Sequence, residues 1–213
     1  MRILIADDHP IVRKGVKQIL SQERDIKQIE EASNAKEVFD KVSKKSWDIL
    51  ILDINLPDMS GLDVLRHLKK SNPKLPVLIL TVFGEDQIAL RVVRLGASGF
   101  MTKDTIPEEL VKAIKKISKG GKYLSEELAE ELVFNIYKDY EKPLHENLSD
   151  REFQVICMIA SGKSVKQIAE ELYLSPQTVR TYRSRILTKM SMKTDAELIA
   201  YALKNNLVYS NSA

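Results

Sequence analysis

Residues 49–53, Ile49-Leu50-Ile51-Leu52-Asp53, are four consecutive large apolar residues that stop on an acid. A run this short and continuous has no polar face, the pattern of a strand covered on both sides. Ile3-Leu4-Ile5-Ala6 and Val77-Leu78-Ile79-Leu80 share it, and weaker candidates lie at 26–30 and 98–101. Between these runs apolar residues recur at helical spacing, as in Val12, Val16, Ile19 and Leu20, and again in Leu110, Val111, Ile114 and Ile117. Fivefold alternation of strand and helix predicts a parallel five-stranded sheet sandwiched by helices, with right-handed crossovers. In such sheets ligands bind beyond the carboxyl ends of the strands, so chemistry is to be sought there.

The alternation ends at Gly120-Gly121. From Ser125 to Asn147 the chain is acidic and reads as one amphipathic helix followed by a loop carrying Pro143. Four helices are predicted beyond Leu148, over 149–161, 164–172, 176–190 and 195–206, with Gly162 as the first stop signal. The organisation is therefore an α/β unit over 1–121, an acidic linker over 122–147 and an all-α unit over 148–213, in keeping with two ordinary domains in 213 residues.

The net charge of +3 is too small to point to nucleic acid, but its distribution is uneven. Residues 1–121 carry 21 basic and 17 acidic groups, 122–148 carry 3 and 7, and 149–213 carry 9 and 6, so an acidic spacer joins two mildly basic units. One cysteine, Cys157, sits in an apolar run as a small hydrophobe and rules out an internal disulfide framework. No run reaches the roughly 18 apolar residues of a membrane span, and the N-terminus turns acidic at Asp7 and Asp8, unlike a signal peptide. A cytoplasmic location is expected.

Asp7 and Asp8 follow the first strand, Asp53 ends the third, Thr81 follows the fourth and Lys103 the fifth. Taken singly, each is an ordinary cap or turn residue. Taken together, a parallel sheet would bring them to one edge with complementary chemistry. Crowded carboxylates favour a hard divalent cation, and Mg²⁺ prefers a few carboxylates completed by water and phosphate oxygens. A carboxylate can also attack phosphorus to give an acyl phosphate, whose oxygens call for a cation, an ammonium and a hydroxyl. His9 lies beside the acid pair, but Mg²⁺ favours oxygen over imidazole. Pro57, Gly61, Gly96 and Gly99 read as turn residues.

Asp7-Asp8, Asp53 within Leu-Asp-Ile-Asn-Leu-Pro-Asp-Met-Ser-Gly, Thr81 and Lys103 resemble the signature of two-component response-regulator receivers over the whole of 1–121. The resemblance implies a flavodoxin-like (βα)5 fold and phosphorylation of Asp53 by a sensor histidine kinase. It also implies Mg²⁺ held by Asp8, Asp53 and the backbone carbonyl of Asn55, with Asp7 assisting through water. Lys103 would pair with the acyl phosphate and Thr81 would move towards it. Phe100, three residues before the lysine, takes the aromatic switch position, and lacking a hydroxyl it would act through packing.

In the C-terminal unit, Ser164 to Leu172 gives a short helix, Tyr173-Leu174 a tight turn, and Ser175-Pro176 a cap and first-turn proline for the next helix. On that helix Val179, Tyr182, Ile186 and Met190 fall in one arc at 100° per residue. Gln177, Arg180, Thr181, Ser184, Arg185 and Thr188 then face outward, with no acid from Pro176 to Met190. Exposed helices usually mix charge signs, so a basic and hydroxylic face suits the major groove of DNA.

Leu148-Ser149-Asp150-Arg151-Glu152, Ile168-Ala169 and Ser175-Pro176-Gln177-Thr178-Val179-Arg180-Thr181-Tyr182 onward to Leu187 resemble the LuxR-type helix-turn-helix. Joined to a receiver, the chain resembles the NarL/FixJ class of response regulators across nearly its full length. That resemblance implies base contacts from Arg180, Thr181 and Ser184, phosphate contacts from Thr178, Arg185 and Lys189, and dimerisation on promoter DNA through the last helix, with its Ala196, Leu198, Ile199, Ala202 and Leu203. Arg183 departs from the common apolar residue; its stem is expected to pack and its head to reach a phosphate. Gln154 replaces a common acid, with little consequence expected.

Phosphorylation of Asp53 is expected to bias a two-state arrangement from one that masks the recognition helix or blocks dimerisation towards DNA binding. Two competing readings remain. A metal-dependent phosphatase with Asp53 as nucleophile would be supported by a second acid two residues on, where this chain has Asn55. A module signalling only through protein partners would show no salt-dependent DNA binding. A phosphoacceptor with slow self-dephosphorylation, not a turnover enzyme, is the expectation.

Overall fold

The computed structural model describes residues 1–82, 85–104, 107–125, 129–130, 143–205 and 207. They fall into two compact units, Met1–Ala129 and Glu130–Ala213, divided within the acidic stretch. The amphipathic helix expected between 125 and 147 lies largely outside the described residues; what is described there includes a 3₁₀ turn, Leu144–Asn147, directly after Pro143.

In the first unit, strands β1 (Arg2–Ala6), β2 (Gln28–Ala32), β3 (Ile49–Leu52), β4 (Val77–Thr81) and β5 (Gly99–Thr102) form one parallel sheet in the order β2-β1-β3-β4-β5. Helices α1 (Pro10–Leu20), α2 (Ala35–Lys44), α3 (Gly61–Ser71), α4 (Glu85–Arg94) and α5 (Pro107–Ser118) alternate with them. This is the flavodoxin-like winding, whose switch point lies between β1 and β3. Every residue of β3 and β4 is buried, as is all of β1 after Arg2, which accounts for their unbroken apolar runs. One core gathers Ile3, Ile5, Ile49, Ile51, Leu78, Leu80 and Met101 against Val16 and Leu20 of α1 and Leu110, Ala113, Ile114 and Ile117 of α5.

Two strand windows shift. β2 starts two residues beyond 26–30 because, as an edge strand, it leaves Gln28, Glu30 and Glu31 partly exposed while pairing Ile29 with Ile3. β5 starts one residue beyond 98. Gly96 has φ +93 and is a turn glycine, but Gly61 and Gly99 answer to space. A Cβ on Gly99 would lie 3.0 Å from the Tyr123 carbonyl oxygen. That carbonyl accepts the Phe100 N–H and the Tyr123 N–H donates to Ser98 O, so the chain leaving α5 is stitched to β5 on both sides of Gly99.

The second unit contains α6 (Asp150–Ala160), α7 (Val165–Glu171), α8 (Pro176–Lys189) and α9 (Asp195–Lys204), the last two residues shorter than the 195–206 window. Ser149 with Glu152, and Ser164 with Gln167, form capping boxes at the starts of α6 and α7. Tyr173 takes φ +53 in the turn between α7 and α8. Phe153, Ile156, Ile168, Leu172, Val179, Ile186, Met190, Leu198 and Ala202 are buried, and Cys157 is buried and in no disulfide. No helix among the described residues is long and apolar enough to cross a membrane.

Candidate functional site

The sheet ladder continues one residue past its strands and so delivers the acids together. Asp53 N–H donates to Ala6 O at 2.8 Å and Lys103 N–H to Thr81 O at 2.8 Å. At that edge the Lys103 ammonium lies 2.7 Å from Asp7 Oδ2 and 2.7 Å from Asp53 Oδ2. Ligand atoms of Asp7, Asp8, His9 and Asp53 all fall within 4.8 Å of one another. Asp7 Oδ1 accepts the His9 N–H at 2.8 Å, and His9 Nδ1 is 2.6 Å from Asp8 Oδ1. Asp53 Oδ1 is buried without a hydrogen-bond partner of good geometry among the described residues.

Burial, and then the neighbouring Asp7 charge, push the Asp53 carboxyl up to about 6 against the pull of Lys103 and the nearby Asn55 N–H. Burial pulls Lys103 down, but its two carboxylate partners outweigh it and leave its pKa raised. The pocket thus holds three carboxylates against one ammonium, with one buried Asp53 oxygen that has no hydrogen bond of good geometry among the described residues. These oxygens fit a hard divalent cation, and a charge added there would relieve what burial costs.

The structure brings Asp7, Asp8, Asp53 and Lys103 into one pocket. Thr81 ends the adjacent strand and is fully buried; Asn55 pairs across the following turn with Ser60. Phe100 pairs with Ile79 in the sheet and is 1% exposed, a packed core ring. Two contributors were not read from the sequence. Arg13, one turn into α1, donates to Asp7 O at 2.7 Å. Gly61 passes so close to the backbone of Asp53 that a Cβ there would clash with the Asp53 carbonyl oxygen, while its N–H donates to Ile54 O at 2.7 Å. Such an approach depends on how 54–60 fold, and only the bare Ser-Gly at the start of α3 hinted at it.

On α8, Val179 and Ile186 are buried, as is Met190 at its C-terminal cap, and Tyr182 is partly so, while Gln177, Arg180, Thr181, Ser184, Arg185 and Thr188 are exposed. The Ser175 cap receives Thr178 N–H at 3.0 Å, and the two hydroxyls lie 2.8 Å apart, so Thr178 is held by the cap. Thr181 Oγ1 donates to Gln177 O at 3.0 Å. Arg183, expected to reach out, instead donates from Nε to Asp195 at 2.6 and 2.9 Å. Lys189 Nζ lies 2.6 Å from the buried Glu152. Gln154 is fully buried and accepts from Arg151 at 2.9 Å. Leu198 and Ala202 face the core of the unit; Ala196 and Leu203 are exposed and Ile199 partly so, leaving α9 an outer apolar edge.

Residues 3–115 match the response regulator receiver domain family, and residues 146–202 match the bacterial regulatory proteins of the luxR family. The chain is 33% identical over 210 residues to the response regulator GacA of Pseudomonas aeruginosa, covering 98% of each protein. It is 31% identical over 208 residues to the response regulator UvrY of Escherichia coli strain K12, covering 97% of this chain and 95% of UvrY. Among solved structures, RcsB from Salmonella enterica serovar Typhimurium, bound to promoter rprA in the presence of the phosphomimetic BeF3-, has a TM-score of 0.63 at 26% identity and covers 94% of this chain and 98% of its own.

Proposed function

This chain belongs to the response regulators that join a receiver domain to a LuxR-type DNA-binding domain, and from that premise we propose that Asp53 is its phosphoacceptor and that the acyl phosphate formed there controls promoter binding by α8. The observation that carries the reading is the Asp53 carboxylate, buried just past the end of β3 and bridged to Asp7 by the Lys103 ammonium. A carboxylate oxygen of Asp53 attacks the phosphorus of a phosphohistidine on a sensor kinase. The P–N bond breaks, the imidazole leaves with a proton, and an acyl phosphate remains. Lys103 then exchanges an ion pair with the carboxylate for one with the phosphoryl oxygens. Thr81, at the next strand end, offers a hydroxyl, and a shift of Thr81 inward would free space beside Phe100, whose repacking would pass the change along β5.

Mg²⁺ is the proposed cofactor, held by Asp7, Asp8, Asp53 and the Asn55 carbonyl; when bound it supplies the positive charge that the incoming phosphoryl group requires. The four-atom cluster and the unsatisfied Asp53 oxygen support this choice. We assign stoichiometric phosphoryl acceptance with slow loss, and no turnover of phosphate esters, because the second acid of a phosphatase is Asn55 here.

In the C-terminal domain the exposed face of α8 is proposed to meet DNA, Thr181 and Ser184 at base edges and Thr178 and Arg185 at the backbone, with Arg180 beside them and α9 pairing two copies on a two-fold related site. The domain limits 1–121, 122–147 and 148–213 and a cytoplasmic location complete the proposal. Incubation with Mg²⁺ and acetyl phosphate tests it: wild type should gain one phosphoryl mass and bind promoter fragments more tightly, and Asp53→Asn should do neither. A wild type that gains no mass would remove the switch.

A further inference from the structure

Helix α8 carries four cations, Arg180, Arg183, Arg185 and Lys189. At 100° per residue they divide into two pairs. Arg180 and Arg185 fall on either side of the outward residues Thr181, Ser184 and Thr188, whereas Arg183 and Lys189 fall on either side of the buried stripe. The contacts follow that division. Arg183 Nε donates to both carboxylate oxygens of Asp195, the first residue of α9. Lys189 sits on Glu152, whose side chain is 3% exposed. The same Glu152 oxygen accepts the Ser149 N–H at 2.7 Å, so one carboxylate closes the cap of α6 and holds the end of α8. Burial opposes ionisation of Glu152, yet Lys189 and the Ser149 donors keep its pKa below the usual range. Drawing Lys189 away to a phosphate would leave that buried charge short of its cation. Arg180 and Arg185 are exposed and have no such engagement among the described residues.

We propose that Arg183 and Lys189 are positioning residues that fix α8 at two points, to α9 through Asp195 and to α6 through Glu152, and that Arg180 and Arg185 carry its cationic phosphate contacts. This deepens the DNA-reading assignment and rests on it. Recognition by α8 then works as a braced rod: two cations set its angle, two flank the groove, and the short polar side chains between them meet the bases. Lys189 thereby leaves the backbone contacts, and Arg180 the base contacts, that the family resemblance implies for them.

The test uses the full-length protein, phosphorylated with acetyl phosphate and Mg²⁺, and a duplex that the wild type selects from a random-sequence pool, with affinity followed across a salt series. Arg180→Met and Arg185→Met should each flatten the dependence of log K on log salt by about 0.9 per protomer, the signature of a lost phosphate contact. Arg183→Met and Lys189→Met should weaken binding several-fold at every salt and leave the slope unchanged. The charge-swapped pair Arg183→Asp with Asp195→Arg should recover binding that Arg183→Asp alone loses. A slope loss of about 0.9 in Lys189→Met or Arg183→Met would overturn the proposal, as would a swapped pair that folds like wild type yet fails to bind. Urea unfolding of the cycle Glu152→Gln with Lys189→Met should show coupling between the two, and additive effects would refute the brace. If no duplex is selected, the DNA reading fails, whereas the unfolding cycle reports on the brace separately.

Discussion

Asp53→Asn removes one ionisable group from the acidic pocket, and its consequence for stability without divalent cations has a definite sign. Burial, then Asp7, raise the Asp53 pKa from 3.8 to about 6 despite Lys103. Between those values the folded protein binds more protons than the unfolded chain. The stabilising contribution of Asp53 is therefore fully present below pH 3.8 and is lost as pH rises through about 6. At 1.36 kcal/mol per unit the whole loss is ~3 kcal/mol, of which about 2 kcal/mol falls between about pH 4.5 and 7. Lower pH is less informative, because Glu30, Glu31, Glu37 and Glu152 have lowered pKa values and lose stability there with the opposite sign. Asparagine cannot ionise, and whatever fixed cost its amide brings beside Lys103 does not vary across the window. The stability of Asp53→Asn relative to wild type should accordingly climb by about 2 kcal/mol from about pH 4.5 to 7 in EDTA. Urea unfolding read by the fluorescence of Trp47, the one tryptophan and a buried residue of the first unit, isolates the relevant transition. Saturating Mg²⁺ should stabilise wild type and leave the variant unmoved. A difference between the two proteins that stays flat across pH would refute the electrostatic account of the pocket.

Gly61→Ala places a Cβ against the Asp53 carbonyl, a backbone atom that cannot rotate away. Urea midpoints should report a cost of ~1–3 kcal/mol, and mass-spectrometric time courses with acetyl phosphate a rate lower by about a hundredfold through misplacement of the nucleophile. Lys103→Met leaves Asp7 and Asp53 facing each other without their ammonium. Unfolding in EDTA should show a loss of ~3 kcal/mol near neutral pH, much smaller near pH 5, where the pair can take up a proton. Gly99→Ala must displace Leu78, Ile117 and the Tyr123 carbonyl; about 1–2 kcal/mol of destabilisation and faster hydrogen exchange at the Phe100 and Tyr123 amides are expected. Leu203→Glu, at a position 57% exposed, should leave the unfolding midpoint of the C-terminal unit within about 0.5 kcal/mol of wild type while reducing cooperative DNA binding in gel shifts.

The central strands were legible because a strand covered on both faces has no polar position to interrupt it, and the acids were legible because they stop those runs. Edge strand β2 was misplaced for the same reason: hydropathy follows burial, and Ile26 is partly buried without belonging to the ladder. The role of Gly61 escaped because a close approach between residues 53 and 61 depends on the turn between them and not on their spacing. On α8 the buried and exposed faces followed from periodicity, but the fates of Arg183 and Lys189 did not. Their partners lie 12 and 37 positions away, and a sequence displays a charge without displaying what neutralises it.

The two units differ in how their charged side chains are held, and that difference matches what each is proposed to do. In the second unit the starts of the four described helices have side-chain caps, two of them full capping boxes, and the two inner cations of α8 have carboxylate partners. A reader of DNA gains from such closure, since every side chain fixed before binding is one that binding need not order. In the first unit a buried carboxylate, Asp53, lies beside a second one, and burial raises its pKa. A group that brings positive charge, or that replaces the carboxylate by an acyl phosphate with its own partners, removes that conflict. A ligand shifts a two-state equilibrium by the difference in its interaction with the two states, and a pocket left unresolved in one state gives phosphorylation the largest difference to work with.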